Sequence, residues 1–172
     1  MSTPTVQTSG KDAIRPSNRR YAAAIVFMIV GTLAGWTLET HLMVTTSPSL
    51  KYRLYYRGEV APKTVHNGDY ISFQRIDPLI NGGKKFAATK RAACVEGENL
   101  KVVGFDYYCG VKYLGTGRDH LHDGRKLQHF VFNGPIPKGK FFAFGDHPDS
   151  YDSRYWGFLG TEEATERVIP LI

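Results

Sequence analysis

Three short segments of the sequence contain residue types that can carry out nucleophilic chemistry. The first, residues 45–50, contains Ser49 in a Ser-Pro-Ser run, which taken alone is typical of a polar linker. The second, residues 88–98, places Lys90 among small and apolar neighbours. A serine hydroxyl needs a neighbouring base, and lysine is one recognised base for it. The third, residues 144–157, is rich in Gly, Asp, Ser and Arg, which is typical of a hydrogen-bonded loop that supports an active site.

The pKa of Lys90 decides whether this lysine could serve as the base. A lysine pKa of about 10.4 must fall to about 7–8 for the amine to accept a proton near neutral pH. Burial against apolar atoms lowers the pKa, and a fall of about three units costs the fold about 4 kcal/mol. We therefore expect Lys90 to point inward, with a hydroxyl such as that of Ser150 orienting its amine. The alternative is a Lys-Arg pair on a solvated strand end.

In order and spacing, the three segments resemble the conserved boxes of type I signal peptidases. Residues 145–157 read GDHPDSYDSRYWG and resemble Gly-Asp-Asn…Ser-x-Asp-Ser-Arg-Tyr-Trp-Gly, one residue shorter between Gly-Asp and Ser. Residues 90–98 read KRAACVEGE, with Glu98 at the position of the Asp in the family's Lys-Arg box. Residues 47–52 read SPSLKY and resemble Ser-x-Ser-Met-Pro. The resemblance covers residues 21–160.

Several details resemble one subgroup of that family, the conjugative-transfer peptidases, which process pilin subunits for plasmid transfer. These details are the His-Pro-Asp-Ser run at residues 147–150, the Ala-Cys pair at 93–94 and the Tyr-Cys-Gly run at 108–110. The first box of the subgroup runs Pro-Ser-Met-Pro-x-Gly-Leu-Tyr, and this chain departs from it at the Met, Pro and Gly positions. The residues at those positions are Leu50, Lys51 and Arg53.

The resemblance implies a role for each polar residue of the three segments. Ser49 is the expected nucleophile and Lys90 its general base, while the Ser49 backbone N–H and the Ser47 hydroxyl form the expected oxyanion hole. Ser150 is expected to orient the Lys90 amine, and no cofactor or metal is expected. Two ion pairs are expected to fix the loop that carries Ser150: Arg91 with Asp146, and Asp152 with Arg154.

A hydrophobic segment precedes the three clusters and is expected to anchor them to a membrane. Residues 21–38 carry no charge, and a helix that continued to Val44 would have about 24 residues and span about 36 Å, enough for a bilayer core. Basic residues before it predict a cytoplasmic segment at 1–20, an anchor at 21–44 and a domain on the far side at 45–172. In this family that topology implies a single-pass protein of a bacterial inner membrane with a periplasmic catalytic domain. The alternatives are a cleaved secretory signal and a buried core helix.

The rest of the chain predicts a small, mainly β domain. Short aromatic and β-branched runs alternate with Gly, Pro and Asn turn signals. The resemblance implies an antiparallel β domain of the signal-peptidase type, preceded by one N-terminal transmembrane helix. Residues 161–165 could form one helical turn. The candidate strands are residues 53–56, 70–75, 85–90, 100–103, 128–133 and 140–144.

Two groups of residues allow more than one interpretation. Cys94 and Cys109 could form a disulfide outside the cytoplasm or remain as buried thiols. The RDHLHDGR stretch at residues 118–125 could suggest a metal site, but we favour a polar hairpin tip because no third ligand is evident. His147 is expected to make a structural hydrogen bond. The residues considered for the metal site are Asp119, His120, His122 and Asp123.

Charge and composition limit the classes of partner and of function that the chain could have. The net charge of +6 is spread along the chain without a basic run that contains aromatics, which argues against nucleic acid. The expected partners are a membrane-bound precursor with a signal or leader sequence, the lipid bilayer, and components of a conjugation or secretion apparatus. The leading hypothesis is a serine endopeptidase that matures a conjugative pilin precursor. The alternatives are a general signal peptidase I and a catalytically silent assembly protein.

Four residues after the first cluster could contact lipid. An aromatic-rich segment close to a membrane anchor could rest on the bilayer interface, although packing in the core is an equal alternative. These residues are Tyr52, Leu54, Tyr55 and Tyr56.

Overall fold

The fold is taken from a computed structural model of the chain, which describes residues 18–121 and 123–172. The chain divides between Leu38 and Glu39 into two compact units, and each unit is considered by itself. The basic residues before the helix at positions 11 and 15, like His122, lie outside the described residues.

The first element is the helix α1, Asn18–His41, which has 24 residues and no buried side chain. Its length and an apolar stretch of 18 residues within it make this helix able to cross a membrane, a property that a secretory signal would share. The helix ends three residues earlier than expected. The residues that follow form strand β1, Leu42–Val44, because their backbone groups pair with Leu54–Tyr56 instead of continuing the helix.

The described part of the second unit contains eleven short strands, a single-turn α-helix and two 3₁₀ turns, the first of them at Asn81–Gly83. Strand 128–133 was predicted wrongly, because those backbone groups are used elsewhere: the Phe130 N–H donates to the Arg154 carbonyl oxygen, and the Phe130 carbonyl accepts from the Tyr107 hydroxyl. The expected helical turn is a 3₁₀ turn at Thr161–Glu163. After β1 the elements are β2 Leu54–Val60, β3 Tyr70–Ile76, β4 Lys85–Val95, β5 Asn99–Val103, β6 Asp106–Cys109, β7 Lys112–Thr116, β8 Gly134–Pro135, β9 Lys140–Phe144, α2 Ser153–Trp156, β10 Leu159–Gly160 and β11 Ala164–Pro170.

The strands form two antiparallel sheets. The larger has seven strands in the order β1-β2-β11-β3-β4-β9-β10, and the smaller has four in the order β7-β6-β5-β8. This confirms the predicted fold class, a mainly antiparallel β protein with one apolar N-terminal helix. Strand β4 lies between β3 and β9, and it pairs with β3 from Lys85 to Arg91 and with β9 from Arg91 to Val95.

The core of the second unit is built on the side chains of the central strands. Alternate residues of β3, such as Ile71 and Phe73, pack against Ala92 of β4 and Phe141 of β9 in one buried cluster. A second cluster fills the space around β4, β5, β6 and β9. A disulfide between Cys94 of β4 and Cys109 of β6 links the larger sheet to the smaller one. The strand that carries Lys90 is therefore held by two strand neighbours and one covalent bond.

Candidate active site

Ser49 lies in the loop that connects the two outermost strands of the larger sheet, β1 and β2. The Thr45 N–H donates to the Arg53 carbonyl oxygen at 2.9 Å and closes the base of this loop. Ser49 Oγ lies 2.7 Å from Ser47 Oγ, and the Ser49 N–H donates to Ser47 Oγ at 3.4 Å. The buried side chain of Leu50 packs into the core beside β2 and β11. The loop therefore has a fixed shape, unlike a polar linker.

Two hydrogen bonds tie this loop to the third segment of the sequence. The His147 N–H donates to the Ser49 carbonyl oxygen at 3.1 Å, and the Lys51 N–H donates to Asp146 Oδ2 at 3.3 Å. The structural role expected for His147 is consistent with this backbone contact. Residues almost a hundred positions apart are thus brought together around Ser49.

Lys90 is buried in the middle of β4, with 5% of its surface exposed. Its Nζ donates to Ser150 Oγ at 2.7 Å. Burial lowers the pKa of Lys90 to about 8, because the charged ammonium loses its water; Asp152 opposes this and Arg154 adds to it. Among the described residues, no hydrogen bond joins Lys90 to Ser49, and both side chains line the same cavity of about 700 Å³.

Gly145 provides the space in which the Ser150 side chain lies. A Cβ atom at position 145 would be 1.9 Å from Ser150 Oγ and 2.9 Å from the Ser49 carbonyl oxygen. Both distances are far inside van der Waals contact, so only glycine allows these two serines their observed positions. The sequence motif contains this glycine, but its steric reason appears only in three dimensions.

A buried ion pair fixes the loop that carries Ser150. The Arg154 guanidinium donates from Nε to Asp152 Oδ1 and from Nη2 to Asp152 Oδ2, each at 2.8 Å, with almost no solvent exposure. Nη2 also donates to the Ser150 carbonyl oxygen at 3.0 Å, and Nη1 to the Thr116 carbonyl oxygen at 2.8 Å. Asp152 Oδ2 accepts from the Gly145 N–H as well. A bidentate pair with every polar atom satisfied is the arrangement that stabilises buried charges.

The second expected ion pair is also formed, closer to the surface. Arg91 Nη2 lies 3.0 Å from Asp146 Oδ1, with both side chains partly exposed. Because Asp146 also accepts from the Lys51 N–H, this pair joins β4 to the loop that carries Ser49.

Three aromatic contacts that the sequence did not reveal also support the loop that carries Ser150. The Tyr107 hydroxyl donates to the Arg154 carbonyl oxygen at 2.8 Å, and the Tyr155 hydroxyl accepts from the Arg118 N–H at 2.9 Å. The rings of Tyr155 and Tyr151 are stacked with centroids 5.3 Å apart. The sequence showed only that aromatic residues are frequent near the motif. That frequency does not distinguish tyrosines that hold the loop in place from tyrosines that simply pack in the core.

The candidate metal ligands that the structure describes do not come together as a group of three. His120 forms an isolated bridge with Lys126, and Asp123 binds Arg125 through a surface ion pair. Among the described residues, the only group of three potential ligands is Cys94, Glu98 and Cys109. The sulfurs of that group are bonded to each other. Glu98, at the position of the family's Asp, accepts hydrogen bonds from the backbone N–H of Val95 and the side chain of Asn67.

Comparison with known proteins identifies the family. The sequence profile of the family described as signal peptidase, peptidase S26, matches residues 19–170. No curated protein was found to match the chain. Among solved structures, a signal peptidase I from Enterococcus faecalis V583 matches with 23% identity over 61% of this chain and 97% of that chain, with a TM-score of 0.36. Because the profile spans nearly the whole chain, the protein belongs to the signal peptidase family, peptidase S26.

Proposed function

We propose that this protein is a membrane-anchored serine endopeptidase that removes signal or leader sequences with a Ser49–Lys90 dyad. Membership of the family supports signal-peptide cleavage in general terms. The observation that carries the dyad is the buried Lys90 amine, which has a lowered pKa and shares a cavity with Ser49. A neutral amine in this position can accept the proton of the attacking hydroxyl.

The reaction follows from these groups in two steps. Neutral Lys90 takes the Ser49 hydroxyl proton while Ser49 Oγ attacks the scissile carbonyl carbon, and the resulting ammonium gives that proton to the departing amine. The Ser49 N–H and the Ser47 hydroxyl, which contact each other in the free protein, turn to the developing oxyanion. Lys90 then accepts a proton from water while the water oxygen attacks the acyl ester. The ammonium returns that proton to the departing Ser49 Oγ, which releases the acid product and restores both Ser49 and neutral Lys90. Ser150 keeps the amine oriented throughout.

The dyad is tested by substitution in the full chain. Ser49→Ala and Lys90→Ala are each expected to abolish cleavage of a precursor in membranes, and Lys90→Arg to fail as well because guanidinium stays protonated. Lys112→Ala, at an exposed site on β7, is the matched control and is expected to cleave normally. New N-termini are identified by mass spectrometry. Normal processing by any of the three dyad variants would overturn the assignment.

We further propose that the substrate is a conjugative pilin precursor and that the domain lies in the periplasm of a bacterial inner membrane. The support is the subgroup's His-Pro-Asp-Ser and Tyr-Cys-Gly runs together with the apolar helix α1. The test is co-expression with a pilin precursor and with ordinary exported precursors. Cleavage of ordinary precursors would favour a general signal peptidase, and cleavage of neither would favour an assembly protein without activity.

A further inference from the structure

Asp77 is a buried acidic residue that takes no part in the reaction described above. Only 6% of its surface is exposed. A buried carboxyl group is costly unless its oxygens accept hydrogen bonds, so the partners of Asp77 indicate its role. The other buried polar residues in the described part of the chain all belong to the base or to the segment that holds it: Lys90, Ser150, Asp152, Ser153 and Arg154.

Asp77 fixes a turn on one wall of the cavity that contains the dyad. It directly follows strand β3, and its Oδ1 accepts from the Leu79 N–H at 2.9 Å. Its carbonyl oxygen accepts from the Ile80 N–H at 3.1 Å. A short acidic side chain that bonds the backbone two residues on is a recognised way to hold a turn. Ile80 lines the cavity together with Ser49 and Lys90, so the turn shapes that wall.

The second carboxylate oxygen of Asp77 reaches the loop that carries Ser150. Asp77 Oδ2 accepts at 3.1 Å from the hydroxyl of Tyr151, which lies 74 positions further along the chain. Tyr151 follows Ser150 directly, and its ring is stacked on that of Tyr155. Burial, followed by the nearby Asp77 carboxylate, raises the pKa of Tyr151. The hydroxyl therefore stays protonated and donates to Asp77 at neutral pH.

Arg75 holds the Asp77 carboxylate from another side. Arg75 Nε lies 3.9 Å from Asp77 Oδ2. The Arg75 guanidinium also lies over the ring of Trp156, 4.4 Å from its centroid, and Trp156 is the last residue of α2. A cation over an aromatic ring is a favourable contact. The end of β3, the cavity wall and the loop that carries Ser150 are thus joined at one carboxylate.

The contact with Asp77 adds a constraint that the other supports of the loop do not provide. The Ser150 N–H donates to the His147 carbonyl oxygen at 3.0 Å, and Arg154 donates to the Ser150 carbonyl oxygen at 3.0 Å. Both of these bonds hold the backbone of Ser150 itself. Tyr151 lines the cavity, so its bond to Asp77 fixes the neighbouring side chain on the side where a precursor would bind.

We propose that Asp77 is a positioning residue for the base, a role that rests on the proposed function of Lys90. Through Tyr151 it holds Ser150 in the place from which Ser150 Oγ accepts from Lys90 Nζ at 2.7 Å. Hydrogen bonds weaken steeply when their geometry is disturbed, and a displacement of about 1 Å in an active site costs up to about 100-fold in rate. The same carboxylate fixes the turn before Ile80, so the cavity wall and the base are positioned together.

Steady-state cleavage by the full chain in detergent micelles tests this role, with a purified precursor that the parent chain processes. Tyr151→Phe removes only the hydroxyl, and we expect kcat to fall about ten-fold with KM unchanged. Asp77→Ala also releases the turn before Ile80, so kcat should fall equally and KM should rise about three-fold or more. Asp77→Asn can still accept from the Leu79 N–H and can donate to the Tyr151 hydroxyl. It should recover about half of the parent kcat or more.

Two controls separate positioning from a general loss of structure. Tyr113→Phe removes a tyrosine hydroxyl that is hydrogen-bonded to Thr116 on β7, and it should leave kcat and KM unchanged. In a Ser150→Ala chain, Tyr151→Phe should lower kcat by no more than about two-fold, because the hydroxyl that it positions is already absent. A ten-fold fall in both backgrounds would overturn the proposal. So would a parent-like kcat for Tyr151→Phe, or a kcat for the Asn variant as low as that for the Ala variant.

A measurement without cleavage separates this role from the dyad itself. In the Ser49→Ala chain, Lys90 is labelled with trace acetic anhydride, and mass spectrometry compares its acetylation with that of the exposed Lys112. We expect Tyr151→Phe to raise the labelling of Lys90 about three-fold or more, because its amine is held less firmly, and the control variant to leave it unchanged. Unchanged labelling in Tyr151→Phe would overturn the proposal. Raised labelling in a chain whose parent cleaves no precursor would support the contact and refute the proposed function.

Discussion

The burial of Lys90 has two opposing effects, because it lowers the pKa towards the range that the proposed general base needs and it also destabilises the fold. Its pKa of about 8 means that the neutral amine becomes abundant only as the pH rises through 8. The cleavage rate is therefore expected to rise about ten-fold per pH unit below that value and to level off above it. Initial rates on a saturating precursor measured from pH 6 to 10 test this. A flat profile would remove Lys90 as the base.

The same lysine makes a prediction about stability. Its folded pKa is below the unfolded value of 10.5, so the cost of burying the ammonium is fully present below pH 8 and disappears as the pH approaches 10.5. That cost is about 3 kcal/mol at 1.36 kcal/mol per unit. Lys90→Met should therefore be inactive but more stable than the parent at pH 7. The expected gain is about 2 kcal/mol, because the loss of the hydrogen bond to Ser150 offsets about 1 kcal/mol of the relieved burial cost. The free energy of unfolding of both proteins is measured with denaturant at pH 7 and at pH 10. If Lys90→Met were as much more stable than the parent at pH 10 as at pH 7, the burial of the Lys90 ammonium would not be the cause of the difference.

Gly145 offers a third test at the level of single residues. Gly145→Ala inserts a methyl group where Ser150 Oγ now lies, so Ser150 must move and the Lys90 amine loses its partner. We expect the cleavage rate to fall at least 100-fold, on the order of 3 kcal/mol of lost transition-state stabilisation. Gly35→Ala, where an added Cβ meets nothing within 4 Å, should leave the rate unchanged. Equal rates for the two variants would show that the loop adjusts.

At the level of elements, the disulfide between β4 and β6 is a covalent link between the two sheets. Cys94 and Cys109 are 15 residues apart, and a crosslink that closes a loop of this size contributes about 3 kcal/mol. Cys94→Ala/Cys109→Ala should lose roughly that amount in urea unfolding. Adding reductant should lower the stability of the parent chain and leave the double variant unaffected. Equal stability of the parent and the variant would mean that packing alone holds the sheets.

The elements that sequence predicted well are those whose pattern is local. The apolar run of α1 and the strands around Tyr70, Leu100 and Lys140 have clear periodicity or turn signals, and each appears in the structure. The strand expected at 128–133 is absent because Arg154 and Tyr107 take its backbone groups, which no local pattern reveals.

The candidate site divides in the same way between what sequence could and could not indicate. The pairing of Arg154 with Asp152 is suggested by a motif that keeps the two residues two positions apart. The approach of Lys90 to Ser150, which is sixty residues further along the chain, depends on the pairing of β4 with β9, because β9 leads into the loop that carries Ser150. Predicting that approach needed the family resemblance. The support from Tyr107 and Tyr155 has no sequence signal, because aromatic residues occur throughout the chain.

For the whole molecule, α1 is expected to act through its length and apolar character alone. It has no buried side chain. Replacing residues 21–38 by an unrelated apolar run of equal length should therefore preserve cleavage of a membrane-bound precursor. A run shortened by eight residues, about 12 Å, should reduce cleavage because the helix no longer spans the bilayer core. Loss of activity in the equal-length variant would reveal a sequence-specific partner for the helix.

The crosslink between Cys94 and Cys109 also has a consequence for how the protein is made. Cys109 is encoded after Lys90, so the strand with the candidate base cannot be crosslinked to β6 until the later segment has been synthesised and oxidised. The yield of mature enzyme should then follow the thiol-oxidising capacity of the host compartment. Cells that lack their disulfide-forming catalyst would be expected to degrade newly made chains faster, even though neither cysteine contacts the reacting atoms.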